Sequence, residues 1–336
     1  MLPEGRSYEL SSELLKGAVD IHVHAGPHLK SSPRSVDPFQ AAIQAKEAGM
    51  AAIVYMDVFK SSNGTSWIVN RVVDGIKTFG GINLNTVYNG VNPRAVKTAL
   101  YYGDGAKYVA FGTHSTHWMT SREGQYVDSQ WMPSHVRFSK FKEEELGRSI
   151  RIPEGKPTPE IDEVLQLIAE HPDVYLITGH VSPEESVRLC ELAKDYGIDK
   201  VVVSSTIPKQ ATLEQLDEMV KYGAYLEYTL AGYTHSTGTR KTDYYVELEY
   251  ASDPIPGNYP KFTIKNVADH IRRYGEDHCL IASDLGVYTL PPPVEGMREF
   301  IACLLDLGIS TETIKTLTQK NPSDLLNLKI KNTLTG

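Results

Sequence analysis

The stretch AVDIHVH, residues 18–24, sets branched apolar residues between an aspartate and two histidines. That composition predicts a strand, and its period of two sends His22 and His24 to the same face. Seven further runs share the apolar, branched character: MAAIVYMDV (50–58), INLNTVYNG (82–90), AKYVAFGT (106–113), VYLITGHVS (174–182), KVVVSST (200–206), AYLEYTLAG (224–232) and CLIASDLG (279–286). Each is followed by a turn signal and a helix-period segment. Eight such units predict an α/β fold of the (β/α)₈ TIM-barrel type, with strand one at residues 18–24. A doubly wound sheet would want a G-x-G-x-x-G turn after its first strand, and none follows His24.

Helix starts support the strand assignments. Asp37-Pro38, Asn92-Pro93, Thr158-Pro159 and Ser182-Pro183 each put a capping side chain before a proline suited to the first helical position. Ser182 with Glu185, and Thr212 with Gln215, have capping-box spacing. Gly49, Gly103, Gly197, Gly223 and Gly275 stand where helices should stop. Asn321-Pro322 is expected to open a last short helix, DLLNL, on the barrel exterior. Two connections, 114–157 after strand four and 229–262 after strand seven, are long and rich in aromatic residues, glycine and proline. Leaving the C-terminal face, they should wall the pocket, with Trp118, Trp131, Tyr228 and Tyr233 as leading aromatic contacts. The reading is one domain over residues 1–336, its barrel spanning about 18–328.

Bulk properties narrow the function. Of 336 residues, 41% are hydrophobic and 23% charged, as expected of a globular chain. The net charge of −8 argues against a nucleic-acid partner. No apolar run reaches the length of a membrane helix and the N-terminus carries no secretory pattern, so no membrane partner and a cytoplasmic location are expected. Cys190, Cys279 and Cys303 form no C-x-x-C pair and read as reduced thiols within the core. A small-molecule substrate is the expected partner, with a homo-oligomer allowed.

The chemistry concentrates at one edge. His22 and His24 close strand one, His180 closes strand five (LITGH), and Asp284 closes strand eight (IASD). Buried imidazoles in a barrel need a metal or polar partners. Three neutral imidazoles and a carboxylate suit one borderline divalent ion, Zn²⁺ first, with Mn²⁺, Fe²⁺ or Co²⁺ also accommodated. Glu227 shares its face with Tyr225 and Thr229. It is read as a partner to a ligand, a substrate contact, a further ligand or a salt-bridged exterior residue. His28, His114, His117 and Tyr228 are candidate substrate contacts; His114 also reads as an extra ligand or a structural loop residue. Lys30, Arg34, Lys60, Lys209 and Arg240 fall on loops of the same face, where they could hold an anionic substrate or merely be solvated.

The motifs VDIHVHAGPH (19–28), ITGHVSPEE (177–185) and ASDLG (282–286) resemble the amidohydrolase superfamily, in its branch with a D-x-H-x-H-x-G-P opening and a C-terminal N-P-[AS]-x-L-L. The resemblance runs from about Val19 to Leu328. It implies that His22, His24, His180 and Asp284 are metal ligands and that Asp284 is also the proton-accepting catalytic base. Two departures stand out. Binuclear members carry a carboxylated Lys or a Glu after strand four, where this chain reads FGTHSTH (111–117), and a His after strand six, where it reads VVVSSTIP (201–208). One metal is therefore expected. The implied activity is hydrolysis of a C–N or C–O bond in an amide, cyclic amide, lactone or ester by an activated water. The rivals are a non-oxidative decarboxylase of an aromatic or unsaturated carboxylate and a catalytically silent, ligand-binding barrel.

Overall fold

The structure is a computed structural model that describes residues 5–28, 33–122, 126–127, 130–131, 139–236, 244–246 and 262–329. Its central sheet comprises β1 (Val19–Val23), β2 (Ala52–Tyr55), β3 in two pieces (Lys77–Phe79 and Ile82–Asn83), β4 (Tyr108–Ala110), β5 (Tyr175–Ile177), β6 (Val201–Val203), β7 (Tyr225–Thr229) and β8 (Cys279–Ala282). Every pairing among these strands is parallel. The first piece of β3 pairs with β2 and the second with β4, so the strand hands the ladder on across Gly80-Gly81. Glycine is required there because a Cβ on Gly81 would sit 2.4 Å from Tyr108. Asp284 N–H donates to the His22 carbonyl (2.9 Å) and His24 N–H to the Leu285 carbonyl (2.9 Å), joining the end of β8 to β1. The chain is an α/β TIM barrel.

Strand three begins five residues before the expected run, and its anticipated second half is a short 3₁₀ turn, Thr86–Tyr88. The apolar run INLN drew the reading toward it; the polar opening Lys77-Thr78 gave no such signal. Helix caps follow the local chemistry. Asn92, Thr158 and Ser182 each accept a first-turn N–H ahead of proline, and both expected capping boxes form. Asp37 and Gln40 add a third, with Asp37 accepting the Gln40 N–H (2.8 Å) and the Gln40 side chain accepting the Asp37 N–H (2.9 Å).

Side chains alternate between two cores. Ile53, Val109, Leu176, Val203 and Ile281 face the surrounding helices, whereas Val54, Ala110, Val202, Leu280 and Ala282 fill the barrel. The terminal helix, Asn321–Leu326, overturns one expectation. It does not pack on the barrel exterior: buried Leu325 and Leu326 belong to the interior cluster with Val19, Tyr108 and Tyr175. The helix is a floor that seals the end of the barrel opposite the site. Both long connections contain regular structure, including helices His117–Arg122 and Ser139–Arg148 in the first. The second opens with a 3₁₀ turn, Leu230–Tyr233. Among the described residues, no helix is long and apolar enough to cross a membrane.

Candidate metal centre

At the open end of the barrel, His22, His24 and Asp284 bring one donor atom each to within 4.8 Å of one another. The pairing of β1 with β2 shifts register between Asp20 and Val23, a local irregularity beside the site. Both imidazoles are turned by hydrogen bonds on their far nitrogens. His22 Nδ1 lies 2.9 Å from Glu227 Oε1, and His24 Nδ1 lies 2.9 Å from the Met56 carbonyl, to which only a protonated Nδ1 can donate. That leaves Nε2 of each facing the same carboxylate oxygen: Asp284 Oδ1 stands 3.3 Å from His22 Nε2 and 2.9 Å from His24 Nε2. Such outer partners fix ring orientation and tautomer in metal sites.

Deeper supports hold this arrangement. Glu227 is 1% exposed, and its second oxygen accepts the Ser205 N–H at 3.1 Å. Asp20 Oδ1 accepts N–H groups from His22 and Ser283, both at 3.1 Å. Burial raises the Asp20 carboxyl to about 6 against those bonds. Asp284 has a left-handed backbone, φ 53°, an uncommon conformation that tends to be retained at functional positions. Two residues on, Gly286 lies so close to His24 that a Cβ would come within 1.7 Å of the His24 carbonyl oxygen.

Charge is strongly coupled here. Burial disfavours the His22 cation, yet Asp284 and Glu227 outweigh it and push His22 up to about 9. Burial alone would raise the Asp284 carboxyl; the charge on His22, with His24 and His180, overrules it and holds the group well below the usual carboxylate range. His180 lies outside the tight group of three but lines the same cavity. Burial and neighbouring His114 push it down to about 3, so it is a neutral imidazole. Its Nδ1 is buried without a hydrogen-bond partner. Two imidazole nitrogens facing one carboxylate oxygen fit a divalent ion by donor chemistry, and His180, lining the same cavity with its Nδ1 orphaned, adds unmet polarity beside them.

The cavity measures about 340 Å³ and is lined also by His28, His114 and Arg34. His28 lies near Phe59 and His114 packs edge-on against His180, ring centres 5.8 Å apart. Four residues expected at the substrate pocket lie elsewhere: Tyr228, His117, Trp118 and Tyr233. Tyr228 faces outward, fully buried, with its hydroxyl 3.0 Å from His270 Nδ1 on the helix Ile264–Tyr274, because the alternation that turns Glu227 inward turns Tyr228 out. Glu227 stands behind His22 with both oxygens engaged. His117 and Trp118 line a separate cleft beside Arg151 and Glu185. Tyr233 is 1% exposed and stacks on Phe262. Trp131, Lys30 and Arg240 lie outside the residues whose side chains are described. Asp20 and Ser205 were missed; Asp20 had a signal, standing two residues before His22 on the same strand.

A model of a family of unknown function, DUF6282, matches residues 17–227. The chain belongs to that family. The match spans His22, His24, His180 and Glu227 and ends before Asp284. No curated protein matches the chain in sequence. Among solved structures, an amidohydrolase from Pseudomonas aeruginosa is similar, at 12% identity and TM-score 0.56, over 96% of this chain and 98% of that one. An organophosphorus hydrolase from Deinococcus radiodurans aligns at 12% identity and TM-score 0.53, over 94% of this chain and 93% of its own. A probable 2-pyrone-4,6-dicarboxylic acid hydrolase from Acinetobacter baumannii, with citric acid bound, gives 12% and 0.53 over 93% and 100%. The resemblance to the amidohydrolase superfamily read in the motifs thus holds at the level of the fold.

Proposed function

We propose that this DUF6282 chain is a metal-dependent hydrolase that cleaves a C–N or C–O bond in a small molecule, an amide, cyclic amide, lactone or ester. The observation that carries the reading is the pair of Nε2 atoms, from His22 and His24, aimed at one oxygen of Asp284. His22, His24 and Asp284 would hold one divalent ion, with the unpartnered His180 Nδ1 available as a further donor. Zn²⁺ is the best match to imidazole and carboxylate donors, and Mn²⁺, Fe²⁺ or Co²⁺ fit the same set. When bound, such an ion lowers the pKa of a water and polarises a carbonyl.

The residues supply the rest. Glu227 and the Met56 carbonyl hold the two imidazoles in their donor tautomers. Asp284 is the proposed base: among the described residues its Oδ2 meets only the Thr229 hydroxyl, at 3.3 Å, leaving that oxygen able to take a proton from water and return it to the leaving nitrogen or oxygen. The water oxygen goes to the carbonyl carbon. The fold shared with solved hydrolases supports the reading. It is tested by turnover on a panel of amides, lactones, esters and aromatic carboxylates, with and without chelator. Chelator-sensitive release of an acid with an amine or alcohol is expected; carbon dioxide release instead would make the chain a decarboxylase, and no turnover at all would leave a silent binding barrel.

A further inference from the structure

We infer that Arg34 and Lys209 form an oxyanion subsite at this pocket, and that the substrate is a compact anion whose carboxylate or phosphate they take. The inference rests on the pocket being a hydrolase site, and it names the class of molecule that enters.

Arg34 lines the cavity together with His22, His24 and Asp284. Its backbone is pinned: Arg34 bridges Val287, and the Ser35 N–H donates to the Gly286 carbonyl at 2.8 Å. The guanidinium is partly buried and feels the charges of Asp284 and Asp57. Neither carboxylate reaches it. Among the described residues, Arg34 makes no ion pair and no side-chain hydrogen bond, which leaves its fork of donors unmet on the pocket wall. Asp57 is occupied, its Oδ1 accepting the N–H groups of Phe59 (2.8 Å) and Lys60 (3.2 Å). Asp284 Oδ1 is engaged by both histidines.

Lys209, on the loop after β6, stands beside the cavity rather than on its wall. Its ammonium lies 4.6 Å from the centre of the Tyr233 ring and so near Gly232 that a Cβ there would stand 1.5 Å from it. The next residue back, Ala231, lines the cavity. Among the described residues Lys209 has no carboxylate partner within ion-pair distance, although Asp284 and Glu227 act on it. Lys60, by contrast, is exposed.

Among the described residues, Arg273 pairs with Asp217 at 2.8 Å and Arg298 with Glu295 at 3.0 Å, while Arg94, Arg148 and Arg151, which have no ion pair, are exposed to water as Arg34 is not. A chain of net charge −8 has carboxylates to spare. Leaving two partly desolvated cations unpaired beside a prospective metal site costs stability unless a ligand supplies the counter-charge. Arginine's planar fork takes two oxygens of a carboxylate or phosphate, and lysine adds a point charge. A cavity of about 340 Å³ limits the occupant to a small molecule.

The test measures binding of succinate, inorganic phosphate and neutral succinamide by titration calorimetry, to metal-loaded and to chelator-treated protein. Succinate or phosphate should bind and succinamide should not, the stronger of the two anions naming the oxyanion. Arg34→Gln and Lys209→Met should each weaken that anion about 10-fold or more in both metal states, with metal content and melting temperature unchanged. Gly232→Ala displaces the Lys209 ammonium without removing its charge and should weaken the anion too. Succinamide binding as tightly as succinate, no anion binding in the wild type, or unchanged anion binding in both charge variants overturns the subsite. A wild-type chain that holds its metal but binds no anion fails the subsite alone; anion binding in a wild-type chain that takes up no metal fails the hydrolase reading and leaves the subsite standing.

Discussion

At the floor of the barrel, Val19 and Leu280 join Leu325 and Leu326 in one buried cluster. A few residues further along the same strands, at the mouth, stand His22 and Asp284, with His24 just beyond. The floor is closed, its mostly apolar cluster covered by the terminal helix. The mouth opens onto a cavity lined by Arg34 and by His180, whose Nδ1 is orphaned, and among the described residues neither Arg34 nor Lys209, beside Gly232, has a carboxylate partner. The strand pattern supplies the same inward positions at both ends. What separates them is which end a helix covers, so stability should reside at the floor and chemistry at the mouth.

That division can be broken residue by residue. The largest effect is expected from Asp284→Asn, which keeps shape and removes charge and proton-accepting capacity. Saturated with metal, it should remain about 10²- to 10⁴-fold below the wild type in kcat. Near-normal turnover at saturating metal would reduce Asp284 to a ligand. At the floor, Leu326→Ala should cost about 2–5 kcal/mol in urea unfolding while metal content per folded chain stays constant. A matching loss of metal affinity would tie the two ends together and contradict the division. Glu227→Gln keeps the size of a buried group and weakens its hold on His22. Metal affinity should fall about 10- to 100-fold with little change in melting temperature once metal is saturating. Smallest of all is Tyr228→Phe, which removes the hydroxyl facing His270. It should cost about 0.5–1.5 kcal/mol and leave KM unchanged; a raised KM would return Tyr228 to the pocket.

Much of the barrel was legible in the sequence because its determinants are local. Ser182, Asn92 and Thr158 cap helices through atoms within three residues, and β-branched runs announce strands wherever they fall. The ends of β1, β5 and β8 could be aligned from motif position alone. The floor was not legible, since Leu325 and Leu326 would read alike on the barrel exterior or beneath it, and only long-range packing decides. Tyr228 was misread against its own alternation with Glu227. Arg34 and Lys209 were named among five loop cations, but separating them from exposed Lys60 required knowing where each side chain lies and which carboxylates fall short of it. Glu227 was legible as an inward residue; that it meets His22 depends on β8 closing against β1, which leaves β7 only one strand away.

The central claim is that His22, His24 and Asp284 hold a divalent ion. Elemental analysis of wild type, His22→Ala and His24→Ala, purified without chelator and repleted with Zn²⁺, Mn²⁺, Fe²⁺ or Co²⁺, tests it most directly, with circular dichroism reporting the fold of each. The account predicts about one tightly bound ion per wild-type chain and none retained by either variant, both still folded. Full occupancy in both variants, two stoichiometric ions in the wild type, or none after repletion would contradict it.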